Sequence, residues 1–102
     1  MDKKDAIKLT NDYLTKVKSE KMSFSEAWLF GSYSTDNQTV NSDIDLALVI
    51  EDDANVFFLE VKLMTLRRGE ELLIEPHLFS KKQFEENTPL VSQIHKTGIR
   101  LK

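Results

Sequence analysis

The sequence predicts an α+β fold of α/β-like character: a small mixed β-sheet with helices packed on it, in the order α-β-α-β-α-β. Three observations carry this. Apolar residues recur at helical spacing over 2–20 and 54–68. Residues 43–50 alternate at strand spacing. Helix-like and strand-like segments take turns along the chain, with polar stretches between them, rather than segregating into halves.

In residues 2–20, Ala6, Ile7, Tyr13, Leu14 and Val17 form one stripe, and Lys and Asp fill the other side. Residues 24–30, rich in aromatics, read as a strand that Gly31-Ser32 ends. Residues 33–42 read as a polar loop, with room for a short helix starting at Ser32. Residues 43–50 form the clearest strand. Ile44, Leu46, Leu48 and Ile50 share its buried face, and Asp43 and Asp45 share the other, a solvated one.

A helix is expected over 54–68. Asp53 would cap its start, Arg67 and Arg68 suit its last turn, and Gly69 would close it. Its apolar residues nearly encircle it, so it is expected to be largely buried or to serve a partner surface. Residues 71–79 read as a third strand, placed at an edge because Pro76 has no N–H for a sheet ladder. Ser80 with Gln83 forms a capping box for a short helix. Thr88-Pro89 opens a last helix that ends before Gly98, and Ile99-Arg100-Leu101 can add a short strand.

The chain has 102 residues, 40% hydrophobic and 30% charged, which fits one domain over 1–102. The formal charge of −3 argues against general nucleic-acid binding. The absence of cysteine excludes a disulfide framework, a thiolate nucleophile and a zinc–thiolate site. No apolar run approaches membrane-spanning length, and Met1-Asp2-Lys3-Lys4 opens a polar stretch, so a cytoplasmic protein without membrane association is expected.

Asp43 and Asp45 put two carboxylates on one strand face, about 7 Å apart by the strand rise. Such close like charges repel, and a divalent cation resolves the conflict. Magnesium takes one or two carboxylates, with phosphate and water oxygens completing its shell. The bland alternative is a solvated face bearing two ordinary acids. Gly31 lets backbone approach a ligand closely, and a helix starting at Ser32 would offer free amides and a hydroxyl to a phosphate. Alternatively the pair is a plain turn. Glu75 shares a face with His77, opposite Leu72, Ile74 and Leu78. Glu75 could join the same cation and accept a proton from an attacking hydroxyl, or be an exposed edge acid. His77 could contact substrate, donate to a phosphate or hydrogen-bond locally. His95 is expected to cap the last helix, and Trp28 and Phe30 to pack in the core.

Taken together, Leu29-Phe30-Gly31-Ser32-Tyr33, then Asn41-Ser42-Asp43-Ile44-Asp45-Leu46-Ala47-Leu48-Val49, resembles the signature of the polymerase-β-like nucleotidyltransferases. Within that superfamily it is similar to the small prokaryotic branch, the minimal nucleotidyltransferases. Ile74-Glu75-Pro76-His77 resembles a pattern in one group of them. The resemblance covers about residues 24–80. It implies a compact mixed sheet, a nucleoside triphosphate on Gly31 and Ser32 with Ser42 and His77 nearby, and two magnesium ions on Asp43, Asp45 and Glu75. The reaction implied is transfer of a nucleoside monophosphate, AMP from ATP, to an acceptor hydroxyl. The sequence departs from the family at Asp36, which stands nearest a position four residues after the Gly-Ser pair where glycine is frequent. Small relatives of this kind pair with a helical HEPN-type protein as toxin–antitoxin systems. The resemblance therefore implies a HEPN-type acceptor and a homo- or hetero-oligomer. The alternative is a degenerate module that neutralises or scaffolds its partner by contact alone.

Overall fold

A computed structural model describes residues 1–102. Helix α1 (Lys3–Ser19) leads to strand β1 (Glu26–Phe30), a single 3-10 turn (Gly31–Tyr33) and strand β2 (Ile44–Ile50). Helix α2 (Val56–Leu66), a second 3-10 turn (Gly69–Leu73) and strand β3 (Ile74–Ser80) follow. Helices α3 (Lys81–Glu85) and α4 (Pro89–Thr97) and strand β4 (Ile99–Arg100) complete the chain. The sheet order is β3-β2-β1-β4. β2 runs parallel to β3, while β1 is antiparallel to both β2 and β4, so the sheet is mixed as predicted. β3 lies at an edge, where the missing N–H of Pro76 leaves no ladder bond unmade in the interior.

The sheet is covered on both sides. One face meets α1 and α2 through Tyr13, Leu14, Val17 and Leu63, packed on Leu29, Ile44, Leu46 and Leu48. The other meets α3 and α4 through Phe84, Val91 and Ile94, packed on Phe30, Ala47 and Val49. The expectation that the Asp43–Asp45 face of β2 is solvated therefore holds only at its N-terminal end. Ala47 and Val49, further along the same face, are buried.

The helix ends follow local chemistry. Asp2 caps α1 by accepting from Asp5 N. Ser80 and Gln83 form the reciprocal capping box expected of them. Thr88 caps α4, with Pro89 in its first turn. Arg67 and Arg68 donate to the Met64 and Thr65 carbonyls at the end of α2, as their positions suggested.

Four expectations need correction. Asn55, not Asp53, caps α2: its Oδ1 accepts from Phe58 N at 3.1 Å. Gly69 does not close α2, because the helix already stops at Leu66 with Arg67 extended. Gly69 instead takes a positive φ of 59° to open the 3-10 turn. That turn replaces the first residues of the expected 71–79 strand, because Glu71 turns back to accept from Arg68 N and pairs with Lys16 of α1. Leu72, expected on a strand face with Ile74 and Leu78, consequently lies outside the strand and is exposed.

The fourth correction concerns α2 itself. Only Leu63 is buried, while Val56, Phe57, Phe58, Val61 and Met64 face solvent. Of the two possibilities raised by its all-round apolar surface, burial is the one the fold rejects.

Candidate active site

The site forms where β1 ends and β2 and β3 begin. The register sets Phe30, Asp45 and Glu75 in one row across three strands, with Phe30 opposite Asp45 and Asp45 opposite Glu75. Cross-strand partners point to the same face, so the two acids project together. Asp43 lies one residue before β2 and is exposed. Asp45 and Glu75 are half-buried.

Gly31 follows Phe30 at a φ of 78°, a conformation that L side chains rarely adopt. A Cβ built there would overlap Asp45 Oδ2 and stand 3.2 Å from its Cγ. The glycine thus serves two needs at once: the turn's backbone angle and room for the Asp45 carboxylate. The turn is tied down through its carbonyls. Gly31 O accepts from Ser34 N and Oγ, and Ser32 O accepts from Asn37 N at 2.9 Å. Only one 3-10 turn starts at Gly31, not a longer helix, so little macrodipole is available and any anion would depend on the turn's amides.

The loop back to β2 is closed by Ser42, whose Oγ accepts from Thr39 N at 2.8 Å. Asp36 adopts a φ of 59° and pairs with Lys3 at 3.0 Å. The position where the sequence departs from the family it resembles thus keeps a left-handed backbone, which Asp tolerates better than most residues.

His77 lies two residues beyond Glu75 on the same face, opposite Ala47, and its Nε2 is 3.2 Å from Asp45 Oδ1. Its ring meets the Phe30 ring edge-on, with centroids 5.1 Å apart. Sequence reasoning put His77 on the Glu75 face but missed its link to Asp45, because parallel register leaves no local trace in the sequence. His95 does occupy the last turn of α4. Its ring, however, packs edgewise on Trp28 and Phe84, and the Ile94 carbonyl is satisfied by Gly98 N. Phe30 is buried, as expected, and Trp28 partly so.

None of Asp43, Asp45 and Glu75 pairs with a lysine or arginine. The donor set is carboxylate oxygen without a basic counter-charge, which suits a hard divalent cation. No three acidic or imidazole groups are gathered closely enough to enclose an ion unaided. The residues therefore fit a cation whose shell is completed by water or substrate oxygens, the mode magnesium favours. No helix of the structure is long and apolar enough to cross a membrane.

A family model described as polymerase beta, nucleotidyltransferase matches residues 12–102. No curated protein matches the chain. A solved structure from Sulfolobus solfataricus, assigned as a nucleotidyltransferase, superposes with a TM-score of 0.66 at 19% identity, covering 96% of this chain and 80% of that one. A toxin–antitoxin structure with AMP-PNP superposes with a TM-score of 0.59 at 27% identity, covering 89% and 71%. A variant of the MntA-HpeT toxin–antitoxin, with two aspartates two positions apart changed to glutamate, gives a TM-score of 0.58 at 25% identity, covering 90% and 71%.

Proposed function

Because the chain belongs to the polymerase-β nucleotidyltransferase family, we propose that it transfers AMP from ATP to a hydroxyl of a partner protein, a HEPN-type helical toxin, with magnesium held by Asp43, Asp45 and Glu75. The observation that carries this reading is the contact of Gly31 with Asp45, in a row that continues to Glu75. A turn that can meet phosphates and the acids that can meet a cation are thereby within one side chain of each other. The relative bound to AMP-PNP is a toxin–antitoxin and supports both the nucleotide and the protein partner.

In the proposed reaction the acceptor oxygen attacks the α-phosphorus in line. The new P–O bond forms as the bond to the bridging oxygen breaks, and pyrophosphate leaves. The Gly31 and Ser32 amides hold the β- and γ-phosphates. Glu75 accepts the acceptor's proton, and together with Asp43 and Asp45 it supplies the oxygens that hold the cation. Magnesium, when bound, offsets phosphate charge and lowers the acceptor hydroxyl's pKa. Most of the rate derives from positioning and fixed electrostatics. Ser42, engaged in closing the loop, supports the turn beside the nucleotide. The exposed apolar side of α2, with Phe57 77% and Phe58 57% exposed, is the face proposed to meet the partner.

That same face favours a second reading, neutralisation of the partner by contact alone. The two are separated by incubating the chain and its HEPN-type partner with magnesium and ATP labelled on the α-phosphate. The proposal expects label on the partner, lost with Asp43→Asn and Asp45→Asn. A partner that is bound and neutralised but never labelled would leave only the contact reading.

A further inference from the structure

Asp45 is held on both sides. Gly31 leaves the space that Oδ2 occupies, and His77 Nε2 reaches Oδ1 at 3.2 Å. An ionised carboxylate can only accept, so this hydrogen bond needs the proton on Nε2. The His77 ring is in turn braced edge-on by Phe30, a residue buried between the sheet and α4. A continuous chain of contacts therefore runs from the core through Phe30 and His77 to one carboxylate oxygen and fixes its direction.

Asp43 and Glu75 have no comparable tether. Neither takes part in an ion pair, and Asp43 lies exposed ahead of the strand. Asp45 is therefore the one acid of the three whose orientation is set before any ligand arrives. A ligand oxygen already aimed gives up less rotamer freedom on binding, and hydrogen-bonded neighbours of ligating groups commonly tune metal affinity about 10–100-fold.

We infer that His77 is a positioning residue: through its Nε2–H it aims Asp45 at the cation site, and in doing so it sets the chain's affinity for a divalent cation. This rests on the reading of Asp45 as a cation ligand. It gives His77 a role through another side chain rather than direct contact with the nucleotide. The geometry also specifies the atom that matters. A glutamine amide nitrogen can reach the position of Nε2, whereas an asparagine side chain is too short and mimics Nδ1.

The test is binding of manganese(II) alone, followed by electron paramagnetic resonance, in the wild-type chain, Asp45→Asn, His77→Ala, His77→Gln and His77→Asn. Circular dichroism would verify that each is folded. The inference expects binding that Asp45→Asn abolishes and that His77→Ala and His77→Asn weaken by about 10–100-fold. His77→Gln should restore most of it. Asp45-dependent binding left unchanged by His77→Ala overturns the positioning role alone. Failure of His77→Gln to restore binding overturns the Nε2–H contact as its basis. A wild-type chain without Asp45-dependent binding overturns the cation site and this inference together.

Discussion

Gly31 and Asp45 touch at the end of the β1–β2 pair, the glycine lacking the one atom that would collide with the Asp45 carboxylate. Gly31→Ala must therefore displace Asp45 as well as strain a φ of 78°. The backbone cost alone is about 1–2 kcal/mol. Thermal melting should show a loss of several degrees, and nucleotidyl transfer should fall at least tenfold. Unchanged activity with a lowered midpoint would mean the turn and the acid act separately.

Asp43→Asn should behave differently. Asp43 is exposed and makes no ion pair, so stability should change by no more than about 0.5 kcal/mol. Transfer should nevertheless fall by about 10²-fold or more, the scale of losing a charge-stabilising group. Denaturant melts paired with initial rates would show whether the two effects separate.

That Asp45 faces away from Ile44, Leu46, Leu48 and Ile50 could be read in the sequence because strand alternation is a local rule. Caps at Ser80 and Thr88 were legible for the same reason. What the sequence withheld is long-range. The second core under α3 and α4 depends on Phe84, Val91 and Ile94 meeting Val49 across many residues. The His77–Asp45 contact depends on parallel register. The start of β3 was misplaced because Glu71 finds its partners, Lys16 and the Arg68 amide, by turning out of the strand.

Helix α2 shows most clearly that composition does not fix burial. Its apolar residues look alike in sequence, yet Leu63 is fully buried and Phe57 is 77% exposed. Leu63→Ala should cost about 2–5 kcal/mol, whereas Phe57→Ser should stay within about 0.5 kcal/mol. If Phe57→Ser destabilised the isolated chain as much as Leu63→Ala, α2 would be packed differently from the fold described.

At Asp36 the left-handed backbone makes side-chain shape decisive. Asp36→Asn should be close to neutral, since it loses only an exposed pair with Lys3, while Asp36→Val should cost about 1–2 kcal/mol. Equal midpoints for the two variants would contradict the positive φ.

Tyr13 gives the fold a pH dependence at the alkaline end. Its hydroxyl is buried and donates to Leu63 O at 2.6 Å. Burial pushes its pKa well above the usual tyrosine range, the Arg67 guanidinium opposes this and the Glu71 carboxylate adds to it. The folded state thus holds the proton more tightly than the unfolded one. Its contribution is complete below about pH 10 and is lost as pH rises beyond that, by up to about 1.4 kcal/mol per unit. Urea melts at increasing alkaline pH should fall more steeply for the wild type than for Tyr13→Phe. Parallel slopes would show that Tyr13 ionises freely in the fold.

The central claim is that Asp43 and Asp45 hold a cation beside a nucleotide on Gly31 and Ser32. Thermal melting with magnesium and ATP, on the wild type and Asp43→Asn, tests it most directly. A ligand at 100 times its dissociation constant adds about 2.7 kcal/mol, and each kcal/mol moves the midpoint of a domain this size by about 4–8 °C. The account predicts a rise of roughly 10 °C or more on that scale, requiring magnesium and absent in Asp43→Asn. A midpoint that magnesium and ATP leave unmoved, or move equally in both proteins, would contradict it.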